Sequence, residues 1–265
     1  MAEHSVLLEV VRAAATLAGV ATEPAADGIL LSCPDGPPSL PEPVIPWSRI
    51  HALLQDDDPL GPGPRLRLAL TLQFHVAVRS LGDTALDAVV RAARPLALPP
   101  GHRLHPGPAW AVERIPGGVL EVGVGVTRLL PGQTATLPLP PDVAAVAGLA
   151  PAALWPRLRD LLERLSGFAL DRVTAHGPRP GVLRPVGGCD GLTLLASPAV
   201  RERLDGATVA APRRDRVWTG GAAEDHGYVH AAWLLTVPDE RGLPGPLRVT
   251  PSAVTAATVT PATPP

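Results

Sequence analysis

The stretch "AAEDHGYVHAAW" (222–233) sets two imidazoles, His226 and His230, four residues apart beside Glu224 and Asp225. On a helix that spacing points both rings the same way, so His226, His230 and Asp225 form a candidate metal set. A HExxH zinc motif would need glutamate at 227, where Gly227 stands. A solvated helix start, its acids complementing the helix dipole, accounts for the same residues. A second candidate is Cys189, in "RPVGGCDGLTLL" (184–195). A reactive thiolate needs a cation, a histidine or a helix N-terminus beside it. Cys189 has glycines and Asp190 instead, and a neighbouring carboxylate opposes ionisation, so the stretch reads as a turn feeding a strand. His176, thirteen residues away, matches no nucleophile spacing. The third candidate is "APRRDRVW" (211–218), where Arg213, Arg214, Arg216 and Trp218 make the one basic cluster. They would suit a phosphate or carboxylate partner, or else are surface arginines at a strand end.

The remaining polar clusters carry less. His102 and His105 lie in a Pro/Gly loop, and "QDDDP" (55–59) has the composition of a solvated acidic loop. No serine lies in GxSxG, and Ser197 before Pro198 reads as a helix cap. No catalytic residue and no cofactor is assigned on these grounds. Composition closes further routes. All 23 basic side chains are arginine, and neither lysine nor asparagine occurs. Guanidinium stays protonated, so Schiff-base chemistry and the lysine of a Walker loop are excluded. The net charge of -2 gives no footprint for nucleic acid or anionic lipid. Two cysteines without CxxC spacing suggest a reducing compartment, and no run of about twenty apolar residues spans a membrane. The expectation is a soluble, cytoplasmic protein.

These groups must be positioned by elements that the patterning suggests. Val6, Leu7, Val10, Val11, Ala14, Leu17 and Ala18 recur at helical spacing, and Gly19 ends the run. Residues 27–33 read as a strand, 34–46 as a proline-rich connection, and a helix is expected from Ser48 to before Pro59. In 65–79 every even position is apolar, which favours a strand, although Leu66, Leu70, Phe74 and Leu81 also line a helical face. A helix capped by Asp83 follows, with Leu86, Val89 and Val90 inward, and 95–108 reads as a seam between two lobes. Residues 109–130 form a hairpin about Pro116-Gly117-Gly118. A helix over 151–167 ends at Gly167 and tolerates Pro156 only in its first turn. Strands are expected at 168–175, 191–197, 206–212, 246–250 and 253–259, with helices at 198–204 and 222–237. The expected fold is α+β: a mixed, mainly antiparallel sheet with several amphipathic helices packed on it. It forms a single domain over 1–250 followed by a partly disordered Thr/Pro/Ala tail, 251–265.

Four segments in order, "VLEVGVGVTRLL", "AGLAPAALWPRLRDLLERL", "GGCDGLTLLASPAVRERL" and "GATVAAPRRDRVW", resemble the YtpQ-like family of bacterial proteins. The resemblance covers the second half of the chain. It implies a helix over Arg65–Leu81, against the alternation, and brings no activity and no site residue. With no nucleophile, base and orienter assembled in the sequence, the expected function is a non-catalytic protein-binding or accessory module. Trp47, Trp110, Trp155, Trp218 and Trp233 are candidate anchors for a protein partner, and a homo-oligomer is compatible with this. The alternative is a metal-dependent or cysteine hydrolase using the His226/His230 or Cys189 region.

Overall fold

The structure, a computed structural model, describes residues 2–33, 43–54, 61–171 and 181–258. The chain divides into two compact units. One comprises Met1–Ala93, Arg103–Trp110 and Val124–Leu154, and the other Arg94–His102, Ala111–Gly123 and Trp155–Pro265. The chain therefore passes between them repeatedly, where the sequence suggested one seam at 95–108. Every pairing described is antiparallel, and the strands fall into three sheets accompanied by helices, which is an α+β fold.

The first unit opens with α1 (Ala2–Ala18), closed by Gly19 at φ 67°. Strands β1 (Thr22–Pro24), β2 (Gly28–Leu31) and β3 (Val44–Pro46) form a sheet in that order. Helix α2 (Trp47–Leu53) starts one residue before Ser48, with Pro46 preceding it. Residues 65–79 are not a strand. They lie within α3 (Pro62–Ser80), which begins on proline and glycine. The helical period wins because Leu68, Thr71, Leu72, His75 and Val78 recur on one face, and all are buried. The even-numbered Leu66, Leu70 and Val76, which a strand would have buried, are only half-buried. Side chains of α1, β2, β3, α2 and α3, among them Val10, Ile29, Ile45, Ile50 and Leu72, make one apolar core. Each such side chain contributes about 1.5–3 kcal/mol on burial.

Helix α4 (Ala85–Ala92) follows a short 3-10 turn containing Asp83, and the residue at its N-cap is Thr84, not Asp83, and makes no side-chain cap. Val89 is buried, but Leu86 faces outward. Residues 95–98, expected in a seam, belong to β4 (Ala93–Leu98). The hairpin is as its alternation implied: β5 (Ala111–Ile115) pairs with β6 (Leu120–Val126), which also pairs with β7 (Leu137–Pro138). Then come α5 (Pro141–Val146) and α6 (Pro151–Leu170). Helix α6 runs through Gly167, so 168–170 are helical and not strand. Its buried stripe of Leu158 and Leu162 continues to Ser166 and Ala169, and this burial outweighs the glycine. Pro156 lies beyond the first turn, where it removes one hydrogen bond near the helix start.

The second unit continues with β8 (Val182–Leu183), α7 (Gly191–Leu194), α8 (Pro198–Arg203), β9 (Thr208–Arg213) and β10 (Arg216–Thr219). The strand expected at 191–197 is instead the α7 turn. Its residues are all buried, Thr193 included, and a short run buried on every side carries no period to separate helix from strand. Helix α8 is capped as expected by Ser197, whose hydroxyl accepts from the Val200 amide. The expected helix 222–237 is broken into α9 (Gly221–Glu224) and α10 (His226–Leu235). Strands β11 (Pro246–Val249) and β12 (Val254–Ala256) complete a sheet of order β12-β11-β9-β10-β8. Part of the expected tail is thus an edge strand. Leu162, Leu195, Val209, Val217 and Val249 belong to the core of this unit. No helix among the described residues is long and apolar enough to cross a membrane.

The hairpin turn shows how backbone freedom is used. Gly117 has φ 105°, and a Cβ there would run into the Val254 carbonyl oxygen. Gly118, at φ 70°, has open space around it. Gly118→Ala should therefore cost about 1 kcal/mol from the left-handed backbone alone. Gly117→Ala adds a displaced edge strand and should cost more than about 2 kcal/mol. Urea denaturation of the two variants side by side measures the difference.

Candidate functional site

The two histidines, Asp225 and the arginine cluster all lie in the second unit, and their local roles are distinct. Asp225 breaks the chain between α9 and α10 and caps α10, its Oδ1 accepting from the Tyr228 amide at 2.9 Å. His226 opens α10 half-buried, while His230 is exposed and stacks on Trp233 with centroids 5.8 Å apart and planes 20° apart. The Arg241 guanidinium sits 4.4 Å from the centroid of the same indole. Its Nε and Nη2 donate to the carbonyls of Thr236 and Leu234, each at 3.1 Å. Among the described residues no group of three His, Cys, Asp or Glu side chains is placed to hold a metal ion. His176 and the acids of 55–59 lie outside the described residues.

Three arginines adjacent in sequence meet different fates. Arg213 and Arg216 both hold Asp215, at 3.0 and 3.1 Å, and Arg213 also reaches Glu240 at 2.9 Å. Burial pushes the Asp215 carboxyl up, but the two guanidiniums outweigh it and hold the carboxyl below its ordinary range. Arg214 points inward, its side chain only 7% exposed, with Nε 3.7 Å from Asp190. Its Nε and Nη1 make no hydrogen bond. Burial raises Asp190 to about 6 in spite of that partner. Trp218 stands against Tyr228, ring centroids 5.9 Å apart. The cluster is thus largely self-neutralised and presents no free row of guanidiniums.

Cys189 closes a two-residue turn. Its amide donates to Val186 and its carbonyl accepts from the same residue, at 2.9 and 3.0 Å, around Gly187 (φ 57°) and Gly188 (φ 89°). Two consecutive positive φ values define a turn that glycine-glycine favours. The side chain is fully buried, and burial with the adjacent Asp190 pushes the thiol up to about 12. A thiol protonated at neutral pH is a small apolar residue and not a nucleophile. The loop histidines are also engaged: His102 Nε2 lies 3.0 Å from the Arg241 carbonyl, and His105 accepts from the Gly107 amide.

The nearest approach to a catalytic grouping lies in the first unit, at residues the sequence did not single out. His75 of α3 is buried, its Nε2 3.0 Å from Asp142 Oδ2, and Arg49 of α2 donates to Asp142 Oδ1 at 2.9 Å. Burial opposes ionisation of Asp142, but the His75 hydrogen bond and the Arg49 charge prevail and hold it at about 2. This is a histidine oriented by a carboxylate, two members of a base–orienter pair. The third is missing, because Nδ1 of His75 bonds to no hydroxyl or thiol and the ring is 5% exposed. The grouping ties α2, α3 and α5 together. Reading 65–79 as a helix would have put His75 on the inward face; nothing local marks Asp142 as its partner 67 residues away.

A carboxyl at about 2 in the fold and 3.8 when unfolded contributes stability that is complete above the unfolded value and lost as pH falls toward 2. That contribution is about 2 kcal/mol. Asp142→Asn should therefore be destabilised by about that amount at pH 7, the gap to the parent protein closing between pH 4 and pH 2, as read by urea titrations across that range. A thiol-reactive disulfide reagent should modify only the half-buried Cys33 in the native protein, and Cys189 only after unfolding. Compared with known proteins, the chain matches no family model, no curated protein and no solved structure.

Proposed function

We propose that this protein is a non-catalytic binding or accessory module that docks another protein through α10. One observation carries the reading. Tyr228, Leu234, Leu235 and Val237 are all exposed, Leu235 at 89%, on or just after a helix containing no Asp, Glu or Arg. Leaving large apolar side chains in water is unfavourable, and a contiguous group of them marks a docking surface. Tyr228, Ala231 and Leu235 follow the i, i+3, i+7 spacing of a helix that lays one face into a groove. The helix is about 15 Å long, so it suits an uncharged apolar groove on a partner better than a broad flat interface. Trp233, pinned by Arg241, and Trp218 beside Tyr228 give the surface rigid aromatic support. The roles of Cys189, Asp225 and His75 in turn, cap and staple support the same reading over the hydrolase alternative.

A photoreactive amino acid placed at Leu235 in the cells that make the protein should give one discrete cross-linked protein species. The same probe at the exposed Arg203 of α8 should not give it. Leu235→Glu should leave unfolding stability within about 0.5 kcal/mol, since the side chain touches little. No adduct at 235, or identical adducts at both positions, would refute the docking surface.

A further inference from the structure

We propose that the first unit carries a binding groove for an uncharged, apolar small molecule. The site does not involve α10 and stands independently of the docking surface. One wall is the outer face of α3. Leu70, Gln73, Ala77 and Ser80 recur there at i, i+3, i+7 and i+10, opposite the buried stripe that carries His75. The facing wall is the loop after β6, which contributes Leu129 and Leu130, together with Leu137 at the start of β7, and Val20 beyond α1 also lines it. The open groove between them has a volume of about 820 Å³. That lies within the roughly 300–1,000 Å³ of sites that take drug-sized ligands.

Three features fix the class of ligand. None of the lining residues is Asp, Glu, Arg or His, although charged residues make up 18% of the chain. An ionised group entering the groove would lose hydration and meet no countercharge. Both glutamines that line it hydrogen-bond to main chain. Gln73 donates to the Ala18 carbonyl at 3.2 Å. Gln133 Oε1 accepts from the amides of Leu129 and Leu130, and its Nε2 donates to the carbonyls of Val126 and Ala135. Gln133 thus satisfies four of the backbone groups about this loop from within, and Leu129 and Leu130 face the groove. The same four bonds hold the loop as a formed wall, which opens with Arg128 in the left-handed region at φ 58°. A wall built before the ligand arrives lowers the ordering cost of binding. The small side chains of Ala77 and Ser80 leave the space between the two walls.

The test uses N-phenyl-1-naphthylamine, a neutral apolar fluorophore, with the full chain. Saturable enhancement with one site per chain is expected, and its anionic relative 8-anilinonaphthalene-1-sulfonate should bind more weakly. Ala77→Trp fills the groove and should weaken the neutral probe by roughly tenfold or more. Ser80→Arg, at an exposed position that cannot disturb the core, should weaken it too and narrow its advantage over the anion. Leu235→Glu should leave it unchanged, so the groove and the α10 surface succeed or fail separately. Absence of saturable binding, or binding indifferent to both Ala77→Trp and Ser80→Arg, overturns the proposal. So does a concentration-dependent dimer that Ala77→Trp dissolves, because the occupant would then be a second copy of the chain.

Discussion

Helix α3 is the constraint on which the first unit depends. One face sends Leu68, Leu72 and Val78 into the interior, and Leu68 and Leu72 join the core shared with α1, the three-stranded sheet and α2. On that same buried side His75 meets Asp142 of α5, which in turn holds Arg49 of α2. The outer face gives Leu70 and Ala77 to the groove. Arg67 adds a fourth tie, its Nε and Nη2 both donating to the Leu53 carbonyl at the end of α2, at 3.1 and 3.0 Å. A helix assigned to so many contacts must hold one rotation about its axis. The hydrogen bond between buried His75 and Asp142 is suited to that, since leaving a buried polar group without its partner costs more than sliding an apolar contact.

The same helix shows where sequence patterning reaches its limit. In 65–79 the apolar residues satisfy a period of two as well as 3.6, because leucines fill positions on both sides of the helix. Of the half-buried even positions, Leu70 and Val76 line the groove and Leu66 does not, so the ambiguity comes only partly from the residues of the concave surface. The α+β class, the hairpin at Pro116-Gly117-Gly118 and the Ser197 cap were legible because each is a local pattern with a local cause. Gly191–Ser197 was not, since total burial erases alternation. Nor was the extension of α6 past Gly167, where the continuing buried stripe outweighs a residue that usually ends helices. The His75–Asp142 pair was invisible for a different reason: it joins residues 67 positions apart, and only the packing of α5 on α3 makes them neighbours.

Candidate chemistry was legible only as residue types, and the environment decides what those types can do. At Cys189 and Asp190, burial raises the thiol to about 12 and the carboxyl to about 6. Both shifts favour the neutral form, the opposite of what a nucleophile requires. Arg214 beside them reduces the effect on Asp190 without reversing it. Asp142 moves the other way because two donors reach it, yet its histidine has no reacting group to serve.

With no lysine and no asparagine, the chain does with arginine much of what those residues do elsewhere. Buried Arg201 donates to the carbonyls of Leu195, Ala196 and Pro251, tying the α7–α8 turn to the segment before β12. Arg67 and Arg241 use their guanidiniums in the same way, on main-chain acceptors. A planar fork of five donors suits that work, whereas an ammonium would satisfy fewer carbonyls at fixed geometry. These polar side chains are committed to backbone, caps and ion pairs. The two surfaces proposed for recognition are apolar: a helix face with Leu235 in solvent, and a groove lined without a single charge. Both proposed surfaces would select by shape and by exclusion of charge, while Arg67, Arg201 and Arg241 are spent on main-chain carbonyls.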